Sequence, residues 1–199
     1  MPEQSTQSPA NSEDLRSRLR AEKIAARLSL PEAARQAASE RILAELDALL
    51  ATFPPATIGF CWPIRAEVDC RPLITSLLAR GWQAVMPTVI APAAPMEFRP
   101  WSSDAPMTLD PFGIPVPATP PAAPPEVLLV PLVAFDAAGF RLGYGGGFFD
   151  RTLAACTPRP FSIGVGFELA RVATIAPGPH DVPLDAIVTE RGLMRFKDG

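Results

Sequence analysis

The residues best equipped for chemistry lie in one run, Arg141-Leu-Gly-Tyr-Gly-Gly-Gly-Phe-Phe-Asp150-Arg151. Gly143, Gly145, Gly146 and Gly147 occupy four of five successive positions. Without Cβ atoms the backbone can take positive φ and approach a ligand closely. Successive amides in such a turn, leading into a helix N-terminus, form a concavity for phosphate oxygens. Arg141 can add a bidentate guanidinium contact, and Asp150 can hold a magnesium ion bridging the same oxygens. A merely flexible turn would also use glycines, but the flanking arginine and aspartate are the partners a nucleotide site requires.

Other chemistries fare worse. No GxxxxGK[ST] occurs, and Gly143-x-Gly145-x-x ends on Phe148, so neither familiar nucleotide fingerprint is complete. No GxSxG is present, and a Ser-His-Asp triad would rest on the single histidine, His180, in a Pro/Gly-rich loop. That same count excludes a zinc centre with several histidines. Cys61, Cys70 and Cys156 are odd in number and show no CxxC spacing, which argues against a disulfide framework and suits a reducing, cytoplasmic setting. Cys61 and Cys70 fall in or beside core elements and read as inert. A net charge of −3 provides no bulk positive field for nucleic acid or an acidic membrane surface. The opening MPEQSTQSPANSED lacks a basic n-region and an apolar h-region, and no apolar run reaches membrane-spanning length.

The elements that must position this run are punctuated by 25 prolines among 199 residues, which cap the length of any helix or strand. Residues 1–11 read as a disordered tail, and 12–199 as one domain. Ser12, followed by Glu13 and Asp14, caps a helix through about Leu28 that carries Arg16, Arg18, Arg20, Lys23 and Arg27. A charge run of this kind ordinarily marks a solvated face. A second helix runs from Pro31 to about Leu50 with Ile42, Leu43, Leu46, Leu49 and Leu50 inward. Then come a strand at Thr57–Trp62, a helix from Asp69 through Arg80, and a strand at Trp82–Met86 ended by Pro87. Residues 92–125 hold 11 of the prolines, which predicts a crossing loop or a two-stranded excursion around Met96–Pro100. Val127–Leu132 is a buried-strand candidate. A helix near 147–155, a strand at Ser162–Phe167 and paired strands at Ala186–Thr189 and Leu193–Phe196 complete the chain. The alternation predicts an α/β fold, a single-domain three-layer α/β/α sandwich with a mainly parallel or mixed sheet.

Residues 130–153, VPLVAFDAAGFRLGYGGGFFDRTL, resemble the signature of the 5-formyltetrahydrofolate cyclo-ligase (5,10-methenyltetrahydrofolate synthetase) family, roughly VPxxAFDxxGxRLGxGxGxYDRxL. The similarity extends from about residue 14 to 196. It takes in the basic helix, Glu67-Val68-Asp69 after the first strand, Gly113-Ile114-Pro115-Val116-Pro117 and a C-terminal HDVPLDxIVTE. The resemblance implies a fold like that of sugar-phosphate isomerases and CoA transferases. It implies that Arg16, Arg20, Arg141, Gly143, Tyr144, Gly145, Gly146, Gly147, Phe148 and Phe149 bind ATP, with Arg141 and Asp150 catalytic. It implies Asp150 and Asp181 as ligands of Mg2+, and Trp62, Glu67, Tyr144 and Phe148 as folate contacts. Phe148 and Phe149 stand where the family usually has tyrosine, and Gly146 where some members carry lysine.

The family's reaction, so implied, converts 5-formyltetrahydrofolate to 5,10-methenyltetrahydrofolate with ATP, through phosphorylation of the formyl oxygen and attack by N10. Such chemistry asks the protein for alignment and charge stabilisation, without a covalent nucleophile. The expected partners are ATP and the reduced folate, with or without a polyglutamate tail, acting on a monomer. Residue by residue, plainer roles stay open: Asp69 as a helix cap, Glu67 as a loop carboxylate, Asp181 as a turn residue, and Met96 and Trp101 as packing instead of lining for the pterin pocket. A sugar-phosphate isomerase or acyl-CoA transferase on a similar scaffold, or a non-catalytic nucleotide-binding protein, remains the alternative.

Overall fold

The structure, a computed structural model, describes residues 9–196. Eight residues of the expected tail, 1–8, and the last three of the chain, 197–199, lie outside the described residues. The first helix, α1 (Pro9–Leu28), begins three residues before the expected Ser12 cap, so positions 9–11 belong to it and not to a tail. The second, α2 (Glu32–Leu50), starts one residue after Pro31, whose fixed φ of −54° places it as the cap.

Seven strands form the central sheet: β1 (Thr57–Gly59), β2 (Gln83–Thr88), β3 (Glu97–Pro100), β6 (Val127–Pro131), β9 (Phe161–Val165), β10 (Ala186–Thr189) and β11 (Gly192–Arg195). Their spatial order is β11-β10-β9-β6-β1-β2-β3. The five inner strands are parallel, and β3 and β11 close the edges antiparallel. The sheet is therefore mixed and mostly parallel. Alternate residues of the central strands face opposite layers, as a two-residue period requires. Val127 and Leu129 pack with Ile42, Leu46, Leu73 and Leu77 of α2 and α3 (Arg71–Ala79). Leu128 and Val130 pack with Leu153 of α4 (Phe148–Ala155) on the other face.

The boundaries differ from the sequence expectations where proline or pairing decides them. β2 runs through Pro87 instead of ending before it. Trp101 donates to the Ala84 carbonyl and Phe60 to that of Val85, so alternation turns the Pro87 nitrogen toward β1. β1 has ended by then, and the missing N–H leaves no gap in the ladder. β1 itself is shorter than expected, because its partners pair with only three residues. Residues 97–100 do not form their own hairpin but extend the main sheet. The two-stranded excursion is instead β4 (Met107–Leu109) with β5 (Pro115–Pro117). A second small hairpin, β7 (Ala134–Phe135) and β8 (Arg141–Leu142), precedes the glycine run. Asp136 closes its turn by accepting from the amides of Ala138 and Phe140.

The chain passes from β1 to β2 on one side and later returns to place β6 on the other. The carboxyl ends of β1 and β6 are thus a topological switch point, where open α/β sheets leave a crevice.

Candidate active site

A cavity of about 650 Å3 opens at that switch point. All fourteen site residues expected from the sequence line it: Arg16, Arg20, Trp62, Glu67, Arg141, the run Gly143–Asp150 and Asp181. They come from α1, the loop after β1, β8, the glycine turn that follows it, the first turn of α4, and the segment before β10. The hairpin of β4 and β5 contributes Gly113, Ile114 and Val116, so the proline-rich segment builds one wall. Met96 lines the cavity too, whereas Trp101 packs edge-on against Phe60 in the core.

At one end the glycine run turns into α4. Gly145 and Gly147 have φ of +100° and +64°, values that favour glycine. Arg20 lies flat against Gly145, and its Nε donates to the Gly143 carbonyl over 3.0 Å. A Cβ on Gly146 would sit 2.5 Å from the Phe148 ring, so that ring fills the space a lysine would need. Phe148 in turn meets Phe112 of the β4–β5 loop at a centroid distance of 5.7 Å. Arg151 braces the run from outside by donating to the carbonyls of Gly146 and Pro92.

Two carboxylates flank this cradle. Arg16 grips Asp181 with both Nη atoms, at 2.6 and 3.1 Å. Arg141, 6 % exposed, lies 3.2 Å from Asp150 Oδ1 and donates to the Val182 carbonyl. Asp150 also accepts from the Val182 amide, and Asp181 from that of Gly178. Burial alone would raise the Asp181 carboxyl, but the Arg16 and Gly178 hydrogen bonds prevail and hold it below the usual range. The same pairing keeps Arg16 firmly charged. Among the described residues no group of three or more His, Cys, Asp or Glu gathers into a metal site. Magnesium does not need one, because it is held by one or two carboxylates and completed by water and phosphate oxygens. Asp150 and Asp181, both within the electrostatic reach of Arg16 and Arg141, fit that donor set.

The opposite end is built differently. Glu67 leaves only 7 % of its side chain exposed. Its Oε2 accepts from the Ile64 amide and its Oε1 from the Tyr144 hydroxyl. Burial raises the Glu67 carboxyl above its ordinary value, against the pull of these donors and of Arg27 and Arg65. Arg65 and Ala66, which precede it, both have positive φ, +47° and +60°. Such conformations cost about 1–2 kcal/mol per non-glycine residue and persist only when the surroundings enforce them. Trp62 stands beside this loop with the Arg71 guanidinium 4.1 Å from its ring centroid. Asp69 both accepts from the Arg71 amide at the start of α3 and holds the Arg71 guanidinium. Cys70, not Asp69, is the N-cap of α3 and makes no side-chain cap hydrogen bond; Asp69 sits one residue before it and holds Arg71 over Trp62. Burial pushes the Cys70 thiol up to about 12 and the Cys61 thiol well above its ordinary value, so neither is a ready nucleophile.

Sequence reasoning passed over Arg27, Arg65, Arg71 and Phe112. Arg27 was visible as part of a basic helix, but only its burial to 5 % exposure distinguishes it from solvated neighbours. Arg16, Arg20 and Arg27 recur at spacings of four and seven, one face of a helix, and that was the available signal.

Comparison with known proteins bears on this cavity. The family model of the 5-formyltetrahydrofolate cyclo-ligase family matches residues 9–190. The 5-formyltetrahydrofolate cyclo-ligase of Mycolicibacterium smegmatis is 33% identical over 195 residues, covering 92% of this chain and 97% of that one. The Escherichia coli K12 protein of the same name is 31% identical over 150 residues, covering 69% and 82%. The solved structure of Aquifex aeolicus 5,10-methenyltetrahydrofolate synthetase superposes with a TM-score of 0.79 at 30% identity, covering 93% of this chain and 94% of that one.

Proposed function

The chain belongs to the 5-formyltetrahydrofolate cyclo-ligase family, and on that premise we propose how its cavity closes 5-formyltetrahydrofolate to 5,10-methenyltetrahydrofolate at the expense of ATP. One observation carries the reading. A single cavity is lined by a glycine-rich turn that leads into α4, by a buried carboxylate beside an aromatic ring, and by apolar walls.

An N5-formyl group is an amide whose carbonyl resists attack by a neighbouring amine. Transfer of the γ-phosphoryl group to the formyl oxygen makes that oxygen a leaving group. N10 then attacks the formyl carbon and gives up its proton, and phosphate departs with the carbonyl oxygen as the ring closes, leaving ADP, phosphate carrying that proton and the methenyl product. The amides of the glycine run and of the first turn of α4 hold the phosphates, with Arg16 and Arg20 neutralising their charge. Asp150 and Asp181 are the side chains that would hold magnesium, which would supply neutralisation of the phosphate charge. Arg141 keeps Asp150 oriented from beneath. Phosphates arriving at the cradle compete for Arg16, releasing Asp181 from its ion pair. At the far end Glu67 accepts from the pterin's N–H groups and Trp62 packs against its ring, so the formyl oxygen faces the cradle. No side-chain nucleophile is required, in keeping with the raised Cys61 and Cys70 thiols.

The protein incubated with Mg-ATP and 5-formyltetrahydrofolate should generate the methenyl chromophore, and omission of ATP should abolish it. Folded protein that yields no absorbance rise would overturn the reading, and turnover without ATP would indicate a different reaction.

A further inference from the structure

The most deeply buried arginine of α1 makes contacts that the phosphate cradle does not require. Arg27 Nε donates to the Arg65 carbonyl over 2.9 Å, at the first residue of the left-handed pair that presents Glu67. Its Nη1 donates to the Leu132 carbonyl just beyond β6, at 3.2 Å. Its Nη2 donates to the Tyr144 hydroxyl over 2.7 Å, and that hydroxyl donates onward to Glu67 Oε1 over another 2.7 Å. Direct contact between the two charges is looser, with Arg27 Nη2 3.8 Å from Glu67 Oε1. The phenol is therefore the closing link. Tyr144 stands between Gly143 and Gly145, so its hydroxyl sits at the folate end while its backbone belongs to the phosphate cradle. Arg65 also places its guanidinium 5.3 Å from the centroid of the Tyr144 ring.

We propose that Arg27 and the Tyr144 hydroxyl form a buried relay that positions Glu67 and couples the nucleotide end of the cavity to the folate end. This rests on the function proposed above. Three separate pieces of chain converge on one guanidinium: the strained loop after β1, the end of β6 and the glycine run. A planar fork with five donors on three nitrogens reaches acceptors as far apart as these, whereas a lysine offers three donors from a single atom. Because Tyr144 lies within the glycine run, any adjustment of that run around phosphates moves the hydroxyl relative to Glu67. A nucleotide in the cradle thus fixes the carboxylate against which the folate docks. Arg27 is a positioning residue in this scheme, acting through Tyr144.

The ionisation of Glu67 gives the relay its own signature. The groups facing this carboxylate are the Ile64 amide, Tyr144, Arg27, Arg65, Cys61 and Cys70. Burial raises the Glu67 carboxyl, and the Ile64 amide, Tyr144, Arg27 and Arg65 restrain that rise. Removing the Tyr144 hydroxyl removes one restraint directly and frees Arg27 to move away, so the carboxyl rises further.

The test uses Tyr144→Phe, which deletes one oxygen, and Arg27→Lys, which keeps the charge. Binding of 5-formyltetrahydrofolate is measured with and without a non-hydrolysable ATP analogue. In the wild type the analogue should tighten folate binding, and in both variants most of that enhancement should vanish. Loss of one charge-assisted hydrogen bond should also weaken kcat/KM for folate by about tenfold. The acidic limb of its pH profile should move to higher pH in Tyr144→Phe. Equal enhancement in wild type and variants, or none in the wild type, would overturn the coupling; an unmoved acidic limb would overturn the relay to Glu67. Should Arg27→Lys fail to fold, the double-mutant cycle of Tyr144→Phe with Glu67→Gln decides the matter. Additive losses in that cycle refute the relay, and non-additive ones support it. A wild type that binds folate and nucleotide without turnover contradicts the proposed function instead, and leaves this cycle still measurable.

Discussion

The two ends of the cavity hold charge in opposite ways. At the glycine run, Asp150 and Asp181 are held by arginines in ion pairs that line the open cavity. Arg16 and Asp181 keep 18% and 13% of their side chains exposed, enough for water and phosphate oxygens to compete for them. At the far end Glu67 and Arg27 keep 7% and 6%, and the carboxylate is held by its own loop, through the Ile64 amide, and by Tyr144 and Arg27 from distant parts of the chain. The first arrangement can exchange partners through Arg16 and Asp181 at little cost, because each of these groups that lets go has another to take; Arg141, with 3% of its side chain exposed, is as buried as Arg27. The second cannot, because a buried group left without its partner bears its full desolvation cost. The end proposed to take phosphates is thus suited to assembling around a ligand, and the end proposed to take the folate to being ready beforehand.

That contrast breaks most sharply at Asp150. Asp150→Asn keeps an acceptor for the Val182 amide and removes the charge, so folding should be retained. Methenyl formation at saturating ATP should fall roughly a hundredfold or more, the scale of losing one electrostatic stabiliser of a transition state. A variant that unfolds cooperatively like the wild type yet keeps full activity would show that the exchangeable end is not where charge is stabilised.

The same contrast explains what could be read from the chain beforehand. The glycine run was legible because its chemistry is local: four glycines between an arginine and an aspartate carry their meaning within a few residues. The parallel sheet was legible for a similar reason, since Val127–Leu132 has the apolar run of a buried strand. The folate end is not local. Glu67 is an ordinary loop carboxylate until Arg27, 40 positions earlier, and Tyr144, 77 positions later, close around it. Arg27 resembled its solvated neighbours because a helix with few apolar residues gives no clear inward face. The hairpin of β4 and β5 was obscured by its prolines, which suit edge strands poorly distinguished from loops. Phe112, at 62 % exposure, declares its place only through its contact with Phe148.

A smaller effect is expected at Gly147, which joins the cradle to α4. Its φ of +64° is costly for a residue with a Cβ, and an added one would meet Arg151 Nη1 at 2.8 Å. Gly147→Ala should cost about 1–2 kcal/mol of stability from the backbone alone, or roughly 2–8 °C in melting temperature for a chain of this size. The KM for ATP should rise while folate affinity measured without nucleotide stays unchanged. If folate affinity without nucleotide falls equally, the two ends are not separable in the way their construction suggests.

The smallest effect concerns Asp181 and the acid limit of stability. Its carboxyl is held below the ordinary value in the folded protein, so the folded state binds fewer protons there than the unfolded chain. Its contribution to stability is therefore fully present above the unfolded value of about 3.9 and is lost as pH falls through the folded value. Asp181→Asn should lower the melting temperature slightly at neutral pH, and the gap to wild type should close on acidification below about pH 3.9. Inorganic phosphate without magnesium should narrow the same gap at neutral pH, because Arg16 then has a second anion to hold. Melting curves of the two proteins across pH, with and without inorganic phosphate, measure both. A gap that persists at low pH would mean that Asp181 is held by its loop and not by exchange of Arg16, which would make the phosphate end as rigid as the folate end.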